Sequence, residues 1–230
     1  MPPLSAVIYD FHTHTTLSDG QLSPLELVRR ALVNGYHAMA ITDHAALGSL
    51  DRFAYELGRD CELARQRWDI TAFPGVELTH VPAEAIDEAA RAAKAAGAWI
   101  VVVHGETVTE PVEPGTNLAA VSSPHVDVLA HPGRITEEVA ALAARNGVFL
   151  EVSARRGHSA ANGHVVKVAR RSGAQLIVDS DHHDLDLLTT ERARAVALGA
   201  GLEEAELDEV LRKNPQALLE RILARRAATL

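Results

Sequence analysis

At 230 residues and 47% apolar content the chain can bury one full core, which suits a single α/β barrel or doubly wound domain and leaves two independent domains cramped. A formal charge of −9 argues against a long electrostatic groove for nucleic acid, since such binding neutralises many phosphates; a local basic pocket remains open. The single cysteine, Cys61, excludes an internal disulfide, no apolar run approaches bilayer length, and the start MPPLSAVIYDFH has neither a basic n-region nor a long h-region, so a cytoplasmic protein with no membrane contact is expected.

The first apolar run, SAVIYDF, predicts a strand over 6–11. Ser23 as N-cap, Pro24 at the first helical position and Glu26 three after the cap predict a helix over 24–34. Four helix-like segments then end in glycine and pass at once into apolar runs: ALVNGYHAMAIT, AAKAAGAWIVVV, LAARNGVFLEV and ARRSGAQLIVD. Gly35, Gly97, Gly147 and Gly173 fit the left-handed residue that closes a helix. With ITAFPGVEL and HVDVLA, further strands are expected at 38–42, 71–78, 98–103, 126–130, 148–152 and 175–179, and further helices at 51–67, 84–96, 137–146 and 161–172.

These strands are continuously apolar, as parallel strands covered on both faces are. Alternation of helix and strand predicts a parallel α/β fold, and seven strands suggest a small barrel over residues 1–230. Residues 190–230 read as a helical extension packed on it, in three stretches (190–200, 203–212 and 215–226) broken by GAG and by Asn214-Pro215. The spacing of Leu207, Val210, Leu211, Leu218, Leu219 and Ile222 would serve packing on the barrel or on a partner, and the oligomeric state is not legible.

In such folds the chemistry sits at the carboxyl ends of the strands. In chain order these ends carry His12, His14 and Asp19; Asp43 and His44; Glu77; His104; His131; Glu151; and Asp179, Asp181 and His183. One histidine after an apolar run is ordinarily a core or loop residue bonded to backbone. Seven strand ends bringing ionisable groups to one rim need a counter-charge, and a cation is the usual remedy. Imidazole and carboxylate without thiolate suit Zn, Mn or Fe, and the number of donors implies two or three ions.

The segments HTHTTLSDG, AITDH, GVE, the strand-end His104, LAHPGR and SDHH, in that order, resemble the motifs of the PHP family, named for polymerase and histidinol phosphatase. The resemblance spans about residues 6 to 190 and implies a distorted TIM-like barrel of seven βα units with a trinuclear centre. By that resemblance His12, His14, Glu77 and Asp181 ligate a first metal, with Glu77 as a bridge. His104 and His131 complete a second, and Asp19, His44 and His183 hold a third. His182, where the family often has a small residue, is read as pointing away.

The resemblance implies hydrolysis of a small phosphate monoester by a metal-activated water, with histidinol phosphate or a nucleotide as the candidate substrate. Asp19, His44, His183 and Arg134 are the catalytic candidates. Arg134, Ser153, Arg155 and His158 follow strands five and six and are candidates for gripping the phosphate. Two other classes stand beside this reading: a nuclease or nucleotide phosphodiesterase of the same fold, and a non-catalytic binding module. The acidic balance favours a small substrate over a polymer.

Overall fold

A computed structural model describes residues 7–228. Seven parallel strands run in the order β1 (Ile8–Asp10), β2 (Tyr36–Ile41), β4 (Thr71–Leu78), β5 (Ile100–His104), β6 (Val128–Ala130), β7 (Phe149–Ser153) and β8 (Leu176–Asp179). A two-residue β3 (His44–Ala45) pairs with β4, His44 opposite Glu77. Around them lie α1 (Pro24–Val33), α2 (Leu50–Arg67), α3 (Ile86–Ala96), α4 (Thr116–Ser122), α5 (Glu137–Asn146), α6 (Asn162–Ser172), α7 (Thr190–Gly199) and α8 (Asn214–Ala227). The result is a nearly closed, TIM-like parallel barrel.

The barrel closes at a seam between β1 and β8 where side chains replace part of the ladder. Asp179 Oδ1 accepts the Phe11 N–H at 2.7 Å, and Asp10 Oδ1 accepts the Ser180 N–H at 3.0 Å. Beyond them Thr13 bridges His182, and His14 N–H donates to the His182 carbonyl at 2.9 Å. Burial raises both seam carboxyls, Asp10 to about 6 and Asp179 well above the usual carboxylate range. Asp179, which the sequence places at the rim, is thus spent on the seam.

Along each strand alternate side chains point in and out. Tyr9, Phe11, Ala38, Ala40, Phe73, Ile100, Val102, Val128, Phe149 and Ile177 form the inner cluster. Leu218, Leu219 and Ile222 of α8 belong to the same cluster and close the amino end of the barrel. The outward residues, among them Met39, Ile41, Val101, Leu129, Leu150 and Val178, pack against the helices in a second cluster.

Gly35, Gly97, Gly147 and Gly173 take φ of 81°, 117°, 70° and 75°, the left-handed geometry expected of helix-closing residues. Three local expectations are corrected. Ser23 precedes α1, but its side chain makes no cap bond, and Glu26 pairs instead with Arg30 at 2.8 Å. The helix Thr116–Ser122, absent from the sequence reading, fills the connection from β5 to β6. Asn214-Pro215 does not break the C-terminal segment, because the chain passes through a π-helical turn, Glu209–Lys213, directly into α8. The wide turn already displaces the ordinary ladder where proline lacks its N–H, and Asn214 Nδ2 donates to the Leu176 carbonyl at 2.9 Å.

Candidate metal centre

The inward columns of the barrel continue past its apolar core into charged residues. Phe73 and Gly75 lead to Glu77, Ile100 and Val102 to His104, Phe149 to Glu151, and Ile177 and Asp179 to Asp181. Ala38 and Ala40 lead past Thr42 to His44. Strand parity therefore aims these groups at one axis, and His12, His14 and His131 join them from the adjoining loops.

Glu77, fully buried, is met by five imidazoles: His44 Nδ1 at 2.7 Å, His104 Nδ1 at 3.1 Å, His12 Nε2 at 3.3 Å, His131 Nε2 at 3.5 Å and His14 Nε2 at 3.6 Å. Asp181 is the second focus, 3.3 Å from His14 Nε2, 3.4 Å from His183 Nδ1 and 3.6 Å from His131 Nε2. Asp19 reaches in from its loop, 3.2 Å from His183 Nε2 and 3.5 Å from His44 Nε2. Asp19, His14, His44 and His183 offer donor atoms within 4.8 Å of one another; so do His12, Glu77 and His131, and so do His12, His14 and Asp181.

The donor set fits divalent cations. His12 Nε2, His104 Nε2 and both ring nitrogens of His14 and of His131 are buried without a hydrogen-bond partner among the described residues. They approach carboxylates without hydrogen-bond alignment, the arrangement of atoms aimed at a shared centre and not at one another. Such groups are costly to bury unless a counter-charge satisfies them.

Charge is strongly coupled across the nest. Burial disfavours a charged His12, but Asp181, Glu151 and Glu77 outweigh it and hold the imidazole well above its usual value. Burial likewise opposes the Glu77 carboxylate, and His12, His104 and His131 overcome it, holding the carboxyl well below its usual range. His14, where burial dominates, is pushed well down. The backbone is strained here too: His131 and Asp181 have φ of 27° and 50°, and His80, whose ring lies 6.1 Å from that of His104, has 54°. Left-handed non-glycine residues cost about 1–3 kcal/mol each and gather at functional sites.

Supporting residues fix the donors. Glu151 Oε2 lies 2.6 Å from His12 Nδ1, both residues fully buried, so the outer nitrogen of His12 is held and Nε2 faces the nest. Asp43, which the sequence places at the rim, binds the loop bearing Asp19: it accepts from Thr15 N, Thr15 Oγ1, Ser18 N and Ser18 Oγ at 2.5–3.1 Å.

The four substrate candidates separate. Arg155 Nη1 sits 3.2 Å from Asp181 Oδ1 and contacts the His183 ring. His158 is buried, stacks on His131 with ring centroids 4.1 Å apart, and forms a donor group with His131 and Asp181; Thr107 Oγ1 holds its Nδ1 at 2.8 Å. Ser153 is buried, and its hydroxyl accepts the Arg155 N–H at 3.3 Å. Arg134 is exposed and makes no hydrogen bond or ion pair with a nest residue among those described. Sequence reasoning placed Glu151 at the rim without giving it a role and left out Glu110. Glu151 shares the inward parity of Phe149, which points it at the nest, whereas Glu110, 3.7 Å from His158 Nε2 and 4.0 Å from His104 Nε2, lies on a loop without pattern.

Imidazole and carboxylate donors gathered at the carboxyl rim of a parallel barrel define a class of protein that binds divalent cations. The PHP domain model matches residues 10–225, and the chain belongs to that family. It is 47% identical to an uncharacterized protein of Methanocaldococcus jannaschii over 93% of this chain and 99% of that protein. It is 25% identical, over 92% of its length, to the DNA polymerase/3'-5' exonuclease PolX of Bacillus subtilis, of which it spans 41%. A probable phosphatase of Acetivibrio thermocellus is 25% identical over 76% of this chain and 79% of that protein. No helix among the described residues is long and apolar enough to cross a membrane.

Proposed function

We propose that the chain hydrolyses a small phosphate monoester with two or three divalent ions, of the Zn, Mn or Fe kind, held at this rim. His12, His14, Glu77 and Asp181 would hold one ion, Glu77, His104 and His131 a second, and Asp19, His44 and His183 a third. The observation that carries the reading is the set of buried, unpartnered imidazole nitrogens converging on Glu77 and Asp181. Such ions, when bound, supply hydroxide at neutral pH and polarise phosphoryl oxygens.

The chain's own residues do the rest. Glu151 keeps the His12 proton on Nδ1. Arg155, at the edge of the nest, would bind phosphate oxygens through its planar fork. Cys61 is no competing nucleophile: it is buried in α2 and burial pushes its thiol up to about 12. The acidic charge supports a small substrate, and the likeness to a probable phosphatase of similar extent supports a monoester. The PolX relative keeps a nuclease in view, although this chain spans less than half of that protein.

The test is phosphate release from histidinol phosphate, nucleoside monophosphates, a nucleoside bisphosphate and a short oligonucleotide, by protein whose metals have been counted. Release from a small monoester is expected. Cleavage of the oligonucleotide alone would replace this reading with the nuclease one.

A further inference from the structure

Beside the nest, sharing Asp181, His183 and Arg155 with it, lies a polar cavity of about 370 Å³. Its other walls come from Arg156 on the loop after β7, from Ser180 and His182 after β8, and from Arg192 in the first turn of α7. Arg155 already has a carboxylate neighbour, Asp181, at 3.2 Å. Arg156 is exposed with no partner among the described residues, and Arg192 bonds only the Ala154 carbonyl, at 3.2 Å. Neither guanidinium therefore has a carboxylate partner. Asp184 and Asp186 stand exposed at the mouth, and Asp184 is engaged by Gln21 Nε2 at 3.3 Å. His182 is 4% exposed, and both its ring nitrogens lack a hydrogen-bond partner. In either protonation state the ring keeps at least one N–H donor.

Two unpaired guanidinium groups over a buried, unsatisfied donor describe a site for an anion, one step from the rim where the phosphoryl group would sit. We propose that this cavity is a second anion subsite: the substrate carries, apart from the phosphate that is cleaved, a further phosphate or carboxylate bound by Arg156 and Arg192, with His182 donating a hydrogen bond. The cleaved end rests on the function proposed above, and the subsite adds what distinguishes one monoester from another. An alcohol that is cationic beyond its phosphate fits this cavity poorly.

The test uses α,ω-alkanediol monophosphates with spacers of different length, whose far end is a hydroxyl, a carboxylate, a phosphate or, with an amine in place of the alcohol, an ammonium. Phosphate release gives kcat/KM, and calorimetry gives binding of the matching non-hydrolysable phosphonates. One charge-assisted hydrogen bond predicts that an anionic far end raises kcat/KM about tenfold or more over the hydroxyl at the best spacer. The carboxylate and phosphate arms show which anion the site takes. The double variant Arg156→Gln/Arg192→Gln, altered at two exposed residues, should lose that advantage and keep the wild-type kcat/KM on the hydroxyl-ended compound. Equal rates for all far ends, a preference for ammonium, or an advantage that survives in the double variant would overturn the proposal. If no compound releases phosphate, the proposed function falls and the phosphonates decide this point alone. Tighter binding of the bisphosphonate by wild type than by the double variant supports the subsite, and equal binding refutes it.

Discussion

Glu151 offers the clearest test of how the nest is held. Its Oε2 lies 2.6 Å from His12 Nδ1 with both residues fully buried. Glu151→Ala removes a charge-assisted bond worth about 1.5–3 kcal/mol and frees His12 to rotate or change tautomer. The expected consequence is about a 10–100-fold loss of affinity for the ion that His12 holds, since 1.4 kcal/mol is a factor of ten. Glu151→Gln keeps an acceptor in place but drops the charge, and its affinity should fall between the two. Stepwise competition with a chromophoric chelator measures this directly. An alanine variant within about threefold of wild type would refute the view that Glu151 orients a ligand.

Three other outcomes follow. Asp43→Ala should lower the melting temperature by about 6–12 °C, because four bonds to Thr15 and Ser18 are lost at roughly 3 kcal/mol in sum; a shift under about 2 °C would show that the loop holds without it. Lys94, 2.5 Å from Asp127, is lowered to about 8 by burial, which outweighs the attraction of that carboxylate. Between about 8 and 10.5 the unfolded chain then binds more protons there than the folded one, so this contribution to stability is least below 8 and rises with pH across the window, by about 3 kcal/mol. Chemical unfolding of wild type and Lys94→Met at each pH isolates it, and a difference that does not change from pH 8 to 10 contradicts it. Chelation of bound ions should cost about 4 kcal/mol for an ion present at a thousand times its Kd, seen by calorimetry as a melting temperature lower by several degrees; identical scans with and without chelator would count against a metal-dependent rim.

Much of the barrel was legible because buried parallel strands read as continuous apolar runs and helix-closing glycines mark the turns. Thr116–Ser122 was not, since seven residues carry too little periodicity to separate helix from loop. Pro215 misled because a local rule about proline was overridden by the π turn before it. At the rim, strand-end position and motif order singled out the residues now found around Glu77 and Asp181. Loop residues were harder: nothing in SARRGHS says that the Ser153 hydroxyl turns to backbone, that His158 is buried against His131, or that Arg155 pairs with Asp181 while Arg156 stands exposed. Those differences depend on tertiary direction, which neither spacing nor composition encodes.

The central claim is that the converging donors hold ions used in phosphate ester hydrolysis. The most direct measurement counts metals per chain in purified protein and follows phosphate release from small monoesters before chelation, after it and on restoring the metal. The account predicts two or three ions per chain, with activity that disappears and returns with them. A chain that binds no metal, or one that is fully loaded yet releases no phosphate from any ester, would contradict it.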